Sequence, residues 1–280
     1  MTDYVNSVMA SIVSAVVTKS SVAPLERLKV LRQSEVYYNR NNYNKSFFNS
    51  VKYIKQNEGL RGLYRGNLSN LIRVTPTYML KFPLNEYYKN LFGSDSFGNV
   101  LKSGISAGMT QTIITYPLDM MRTRMSLDNN MTNNYNGYLR CARNIISNEG
   151  FVGLYKGCLI NFTTYPLYVG LQFSIYDSCK EEYGIFSGTI AGSIAQSIMF
   201  PGDTIKRQLQ INGLDNTGNK INGTIDCIKY IMKTRGIRGF YQGYGINMIK
   251  VVPEATIQFM TYDFIRSKLF AYSASKKEFD

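Results

Sequence analysis

The chain has 280 residues, a formal net charge of +13 and a sequence pI of about 9.5, so its partners are expected to be anionic: nucleic acid, acidic lipid or phosphorylated metabolites. It has no histidine, which removes the usual proton shuttle and the commonest metal ligand. Its four cysteines form no C-x-x-C pair and follow no secretory signal, which favours a reduced compartment or plain packing. No metal site is predicted, and any targeting signal is expected to be internal.

A pattern of proline, acid and base occurs three times and divides the chain into thirds. It begins at Pro24, Pro117 and Pro201, at spacings of about 93 and 84 residues, with the acid two residues and the base five residues after the proline. Each copy follows an apolar, helix-like run that the proline is expected to bend. The acid and the base then share one face of the helix beyond. We predict that the three helix ends form a ring by pairing between neighbours.

The first third is predicted to hold two long helices and one short helix. A long helix bent at Pro24 is predicted over residues 3–32, and a second long helix is predicted over the hydrophobic run 68–91. Between them, residues 47–56 place positions 47, 48, 51 and 54 on one apolar face, which is typical of a short helix lying at a membrane surface. A companion motif follows, with an acid and glycine at 58–59 and Tyr-Arg-Gly at 64–66.

The second and third thirds repeat this order. Short helices are predicted over residues 138–147 and 224–232, and the third companion motif has Arg235 where an acid precedes the glycine and Gln242 where a base is usual. Residues 157–176 and 183–202 are each about 20 residues without a charge, long enough to span a bilayer. Their Ser, Thr, Gln and Tyr content indicates helices with one face toward lipid and one toward water.

Together these motifs resemble the mitochondrial carrier family. Three P-x-[DE]-x-x-[KR] motifs, each with its companion motif and a [FY]-[DE]-x-x-[KR] ending, extend from about residue 5 to 270. The resemblance implies an all-α membrane protein and a single carrier domain, 1–280. Six transmembrane helices form three tandem repeats (1–96, 97–182 and 183–272) with pseudo-threefold symmetry. Three short surface helices lie on the matrix side, and a polar tail covers 273–280.

The resemblance also implies a location and a lipid partner. We expect a multi-pass protein of the mitochondrial inner membrane, with both termini facing the intermembrane space, that functions as a monomer. Backbone N–H groups at helix starts near Gly66, Gly157 and Gly243 are expected to hold cardiolipin phosphates, since helix N-termini suit anions.

Two gates are implied, one at each mouth of a central cavity. The matrix gate would pair Glu26 with Arg122, Asp119 with Lys206 and Asp203 with Lys29, braced by Gln33. The cytoplasmic gate would pair Glu86 with Lys180, Asp177 with Arg266 and Asp263 with Lys89, braced by Tyr176 and Tyr262, with Asn85 as a weaker third brace.

Substrate contacts are expected midway between the gates. Thirteen residues before the acids of the second gate, the family's three contact points correspond to Arg73, Thr164 and Lys250. Cations at bilayer depth favour an anionic substrate, and Arg and Lys are suited to phosphate. Lys19, five residues before Pro24, adds a third cation, as in nucleotide carriers.

Three further residues complete this candidate site. Tyr165 completes the second contact point, and with Tyr168 it is a candidate for stacking on a nucleobase, although tyrosines serve as often for packing or as interface anchors. Glu254, close to Lys250, either neutralises that lysine or contacts a sugar hydroxyl or an amino group.

The first third resembles the adenine-nucleotide branch, so we predict exchange of nucleotides (ADP/ATP and also deoxynucleotides) by alternating access. The tripled arginine signature of strict ADP/ATP carriers is absent. Coenzyme A or Mg-nucleotide carriers are the alternatives, with amino-acid or carboxylate carriers less favoured. A soluble nucleic-acid-binding protein would not need the uncharged runs, and an enzyme would need a nucleophile, carboxylate pair or phosphate loop that is missing. The high Asn, Lys, Ile and Tyr content suggests an A/T-rich coding sequence. Together with the departures from the family's motifs, it resembles what is expected of a carrier homologue encoded by a large DNA virus.

Overall fold

The computed structural model describes residues 2–38, 47–93, 96–127, 137–184, 187–212 and 221–277. Within these ranges the chain is almost entirely helical and has no strand, which confirms the predicted helical class. The α-helices are α1 (Thr2–Ser21), α2 (Ala23–Tyr38), α3 (Phe47–Leu63), α4 (Asn67–Phe92), α5 (Phe97–Leu127), α6 (Tyr138–Glu149), α7 (Cys158–Tyr183), α8 (Ser187–Ile211), α9 (Thr224–Arg235) and α10 (Tyr244–Lys277). Short 3₁₀ helices at Phe151–Tyr155 and Ile237–Tyr241 precede α7 and α10.

The first motif proline lies beside a sharp bend. The helix breaks at Val22, so residues 6–21 and 23–34 meet at 64°. The Glu26 N–H still donates to the Val22 carbonyl at 3.0 Å, so little hydrogen bonding is lost. Pro24 is tolerated just after this break because it occupies the first turn of α2. Pro117 and Pro201 lie inside α5 and α8, which continue past them, so a bend at those two prolines stays a prediction.

The long helices close into a ring. α4 packs against α5, α7 against α8 and α10 against α1, so each repeat contacts the next and the last contacts the first. The segments that follow the motif prolines, residues 24–34, 117–127 and 201–211, contact one another at one end of the bundle. We call this the motif end, and we call residues 86–92, 177–183 and 263–268 the opposite end.

One short helix packs against the motif end in each repeat. Ile54 of α3, Ile145 of α6 and Ile231 of α9 are fully buried, and each stands four residues before the companion motif. Phe48, predicted on the same apolar face as positions 47, 51 and 54, is 78% exposed. It lies about 100° around the helix from Phe47, which does pack against this core, because successive helical residues are rotated by that angle.

No single helix in the described ranges has both the length and the apolar composition of a membrane span, whereas the bent pair of residues 6–21 and 23–34 has both. At the other terminus, α10 runs through Lys277 into the segment predicted as a polar tail, whose last three residues lie outside the described ranges.

Candidate functional site

The acids and bases of the proline motifs pair across repeats at the motif end. Arg122 Nη2 lies 2.9 Å from Glu26 Oε1, and Lys206 Nζ lies 2.8 Å from Asp119 Oδ2. The four side chains are between 8% and 16% exposed, so solvent screens these pairs weakly. Two of the three predicted pairs are therefore present, and they join α2 to α5 and α5 to α8.

The third predicted pair, Asp203 with Lys29, does not fall within ion-pair distance among the described residues. Instead the Gln196 amide, seven residues earlier on α8, donates to Asp203 Oδ2 at 2.8 Å. The Lys29 ammonium lies 5.4 Å from the centre of the Phe200 ring. Asp203 is therefore held by its own helix, and the contact of α8 with α2 lacks the ion pair that the other two motif contacts have.

The glutamine brace is made by a different residue from the one predicted. Both amide atoms of the Gln33 side chain are buried without a hydrogen-bond partner in the described part of the chain. Gln210 occupies the equivalent position, nine residues after Pro201. Its amide donates to Asp119 Oδ2 at 3.1 Å and to the Tyr116 hydroxyl at 3.3 Å. Gln210 therefore supports the formed pair, and this repeat position was the signal that the sequence argument missed.

At the opposite end, the ion pair found among the described residues lies within a single helix. Lys180 pairs at 3.3 Å with Asp177 of its own helix, and these side chains are 50% and 53% exposed. The predicted pairs of Glu86 with Lys180 and of Asp263 with Lys89 are not formed within the described ranges, and all of these residues are exposed. Of the residues predicted to brace this end, Tyr176 is exposed, whereas Tyr262 and Asn85 are half-buried. Among the residues that the structure describes, the ion pairs found between gate charges of different repeats therefore lie at the motif end.

Arg124, which the sequence argument did not single out, ties three elements together. Its guanidinium donates to both carboxylate oxygens of Glu149 at 2.5 and 2.9 Å, and to the carbonyls of Gln210 and Asn212 at 3.1 and 3.0 Å. Lys156 Nζ lies 2.5 Å from the same carboxylate. Burial acts to raise the pKa of Glu149, but hydrogen bonds and charge from Arg124 and Lys156 hold it below its usual value. These contacts fix α6 and α8 to α5.

The two departures in the third companion motif explain each other. In the second copy the acid Glu149 pairs with the base Lys156. In the third copy, with the Gln242 amide oriented to suit its neighbours, its nitrogen donates to the Arg32 carbonyl at 2.9 Å and its oxygen accepts from Arg235 Nη1 at 2.6 Å. An uncharged acceptor opposite an arginine thus replaces an acid opposite a lysine.

The predicted substrate cations on α1 and α10 share one carboxylate. Lys19 donates to Glu254 Oε1, and Lys250 Nζ lies 3.1 Å from Glu254 Oε2. Lys250 Nζ also lies 2.8 Å from Oε2 of Glu26. Because Glu26 is paired with Arg122, a continuous chain of contacts runs from Lys19 to the motif-end pair.

Arg73 connects the site to the second motif-end pair. Its Nε lies 3.6 Å from Asp119 Oδ1, longer than a hydrogen bond, and its Nη2 donates to Asn70 Oδ1 at 3.4 Å. Asp119 is the partner of Lys206. Two of the three predicted cations therefore touch the acids of the two formed ion pairs.

The predicted residues of α7 line a cavity of about 200 Å³. The lining residues are Thr112, Asn161, Thr164, Tyr165, Tyr168, Gln196, Met199 and Asp203. Gly108 allows Tyr165 to approach α5, since a Cβ at this glycine would lie 2.3 Å from the ring. Apart from Asp203 the lining side chains are uncharged, and all but Met199 carry a hydrogen-bonding group, which suits a planar group with hydrogen-bonding edges. Base stacking on the two tyrosines stays a prediction.

Glycines in the left-handed conformation precede α4, α7 and α10. Gly66, Gly157 and Gly243 have φ angles of 82°, 81° and 82°, which strain any residue with a Cβ. A Cβ at Gly157 would also lie 3.1 Å from the Lys206 carbonyl oxygen. The glycines let each helix begin against the motif segment of a neighbouring repeat, and lipid binding at these positions stays a prediction.

A family model described as mitochondrial carrier protein matches residues 2–96, 93–185 and 182–273, nearly the whole chain in three successive copies. The chain belongs to the mitochondrial carrier family. The family predicted from the motifs is thereby confirmed, and it places the chain among carrier-type transporters rather than enzymes.

Three relatives illustrate the mitochondrial and chloroplast carriers to which the chain is similar. It is 32% identical over 274 residues to mitochondrial substrate carrier family protein P of Dictyostelium discoideum, covering 90% of each chain. It is 30% identical over 309 residues to the mitochondrial adenine nucleotide transporter ADNT1 of Arabidopsis thaliana, covering 94% of this chain and 86% of the relative. It is 32% identical over 277 residues to the thylakoid ADP,ATP carrier protein, chloroplastic, of the same plant, covering 93% and 64%.

Proposed function

We propose that this protein exchanges nucleotides across the mitochondrial inner membrane by alternating access. The observation that carries the proposal is the placement of Arg73, Thr164 and Lys250 at equivalent positions of the three repeats. Two of them supply cations, and the third lines the cavity that also contains Tyr165 and Tyr168. Such a site offers charge to a polyphosphate and an aromatic surface to a base. Two relatives named as adenine nucleotide or ADP,ATP carriers support the same substrate class.

The contacts suggest how substrate binding would open the gate at the motif end, which we assign to the matrix side. A phosphate that binds Lys250 competes with Glu26, and one that binds Arg73 competes with Asp119. Each competition draws a cation away from an acid of the gate. Because a ligand shifts an equilibrium only by its differential affinity, this coupling provides the required difference between the two states.

The remaining features of the proposal follow the family. Six helices would span the membrane with both termini in the intermembrane space, the three short helices would lie on the matrix side, and the carrier would act as a monomer. The glycine-led starts of α4, α7 and α10 would hold cardiolipin phosphates, because the N-terminus of a helix suits an anion. The structure described is then the state open to the cytoplasmic side.

Reconstitution in cardiolipin-containing liposomes tests the substrate. We expect uptake of labelled ATP and deoxynucleotides against preloaded nucleotide, and little uptake of coenzyme A or amino acids. Glu254 argues against an amino-acid substrate because two lysines already contact its carboxylate. Arg73→Ala and Lys250→Ala should each lower nucleotide exchange by about 10- to 100-fold, the value of one or two charged hydrogen bonds.

Lys102→Ala is the matched control, since it removes an exposed cation near the start of α5. This variant should exchange nucleotides at the wild-type rate. Amino-acid uptake without nucleotide uptake, or unchanged nucleotide exchange in both site variants, would contradict the proposal.

A further inference from the structure

The contact between α1 and α10 contains an anion held by two cations. The Glu254 carboxylate offers one oxygen to Lys19 and the other to Lys250, which approach it from different helices. The three side chains are only 22%, 23% and 11% exposed for Lys19, Glu254 and Lys250. A small anion bridged by two ammonium groups is also the arrangement that a phosphate group would adopt between the same lysines.

We infer that Glu254 acts as an intramolecular anion that occupies the phosphate position of the empty carrier, so that the phosphate of an entering substrate must displace it. This inference rests on the proposed function, because it takes a phosphorylated substrate as the competitor. Glu254 is then a specificity residue that weakens the binding of every anion bridging the two lysines. It does not serve as a contact for a sugar hydroxyl or an amino group.

The charges around the pair support this assignment. Lys250 has a second carboxylate, Glu26, at 2.8 Å, and Lys19 has Glu254 as its ion-pair partner in the described residues. Glu26 is also paired with Arg122, so with Glu254 in place three cations face two carboxylates and the subsite carries one surplus positive charge. When Glu254 is neutral, the surplus rises to two positive charges and an anion binds without a displacement step.

The same contact has a second tie, which makes Glu254 replaceable. One turn further along α10, the Gln258 amide donates to the Ser14 hydroxyl of α1 at 2.9 Å. The helices remain joined there when Glu254 is changed. Glu254→Gln preserves the size of the side chain and removes only its charge.

The test compares the affinity of the full-length protein for ATP and for pyrophosphate, measured in cardiolipin-containing detergent by the ligand-dependent shift in thermal unfolding. We expect Glu254→Gln to lower the half-saturating concentration of both ligands by about tenfold, which corresponds to about 1.4 kcal/mol. Glu254→Ala should also bind both ligands more tightly than the wild type, and it replaces Glu254→Gln in the test if the glutamine variant does not fold. Glu182→Gln, which removes an exposed carboxylate at the end of α7, should change affinity by less than about twofold.

The sign of the effect decides between the possible roles of Glu254. Weaker binding in the variant would mean that Glu254 contacts the substrate, and unchanged binding would mean a structural tie only; either result overturns the inference. If the wild-type protein binds neither ATP nor pyrophosphate, the proposed function fails and the inference fails with it. If the wild-type protein binds ATP and the variants bind it no more tightly, only the inference about Glu254 fails.

Discussion

Replacing Arg124 by methionine would remove the buried guanidinium that joins α5, α6 and α8. The side chain is 1% exposed and its partner Glu149 is 10% exposed, so both charges lie largely out of water. Breaking a buried ion pair by removing one partner costs about 3–5 kcal/mol. Because Lys156 remains 2.5 Å from the Glu149 carboxylate, we take the lower end, about 3 kcal/mol. At about 2–4 °C per kcal/mol, the unfolding temperature should fall by about 6–12 °C.

The measurement is thermal unfolding in detergent followed by far-ultraviolet circular dichroism, which suits a helical chain without tryptophan. Arg143→Met, an exposed arginine on α6, is the matched control and should leave the unfolding temperature unchanged. The double variant Arg124→Met with Glu149→Gln should lose less than the sum of the two single variants, because both substitutions remove the same contact.

The difference in unfolding temperature between wild type and Arg124→Met should depend on pH, which gives a second check. The folded-state pKa of Glu149 lies below its ordinary value of 4.5, so the stability that this carboxylate contributes is complete above pH 4.5 and is lost as the pH falls through the lower folded value. The gap between wild type and Arg124→Met should therefore be constant from neutral pH to 4.5 and shrink below it. A loss of less than about 2 °C, or a gap that widens in acid, would refute the reasoning.

Two further predictions concern the motif end. Gln210→Leu removes the amide that donates to Asp119 Oδ2 and to the Tyr116 hydroxyl and that accepts from Thr123 and Arg207. Leaving these buried partners unpaired costs about 1–3 kcal/mol, so the unfolding temperature should fall by about 2–12 °C, and the exchange rate should rise because the gate is loosened. If Gln210→Leu unfolds at the wild-type temperature and exchanges substrate in liposomes at the wild-type rate, this role of Gln210 is contradicted. Gly157→Ala forces a Cβ onto a backbone with φ of 81° and to within 3.1 Å of the Lys206 carbonyl, so about 1–2 kcal/mol of stability, or about 2–8 °C, should be lost. Gly170→Ala, which meets nothing within 4 Å, should lose none, and equal unfolding temperatures for both alanine variants would show that Gly157 is not under strain.

The pairing of acids and bases at the motif end could be predicted because the motif that carries them occurs three times in the sequence. A proline followed at fixed distances by an acid and a base marks the motif end in each third, and two of the resulting pairs are present. The bracing glutamine was assigned to Gln33, although Gln210 shares its repeat position. Which of two equivalent glutamines makes the contact depends on which ion pair is formed, and that is a property of one conformation.

Arg124 could not be recognised from the motif alone. Seven residues after each proline stand Leu31, Arg124 and Gln208, three unlike side chains. Arg124 and Gln208 nevertheless make equivalent contacts, because each donates to the backbone carbonyl of the residue nine positions after the proline in a neighbouring repeat. Every residue has a backbone carbonyl, so the acceptor of this hydrogen bond does not depend on residue type. The shared contact could therefore not be recognised from the side chains in the sequence.

The three contacts at the motif end are unequal, and this inequality affects how that end can open. Two ion pairs hold it, joining α2 to α5 and α5 to α8, while α8 and α2 are linked by the Gln208 amide, without an ion pair between their motif charges. Each pair contributes at most a few kcal/mol after the cost of desolvation. Under the proposed function, a polyphosphate that binds Lys250 and Arg73 replaces a carboxylate at each cation, so it weakens both remaining pairs through contacts already in place. A closed ring of three strong pairs would require more binding free energy to open, whereas two pairs coupled to the substrate cations can be opened by one multiply charged ligand.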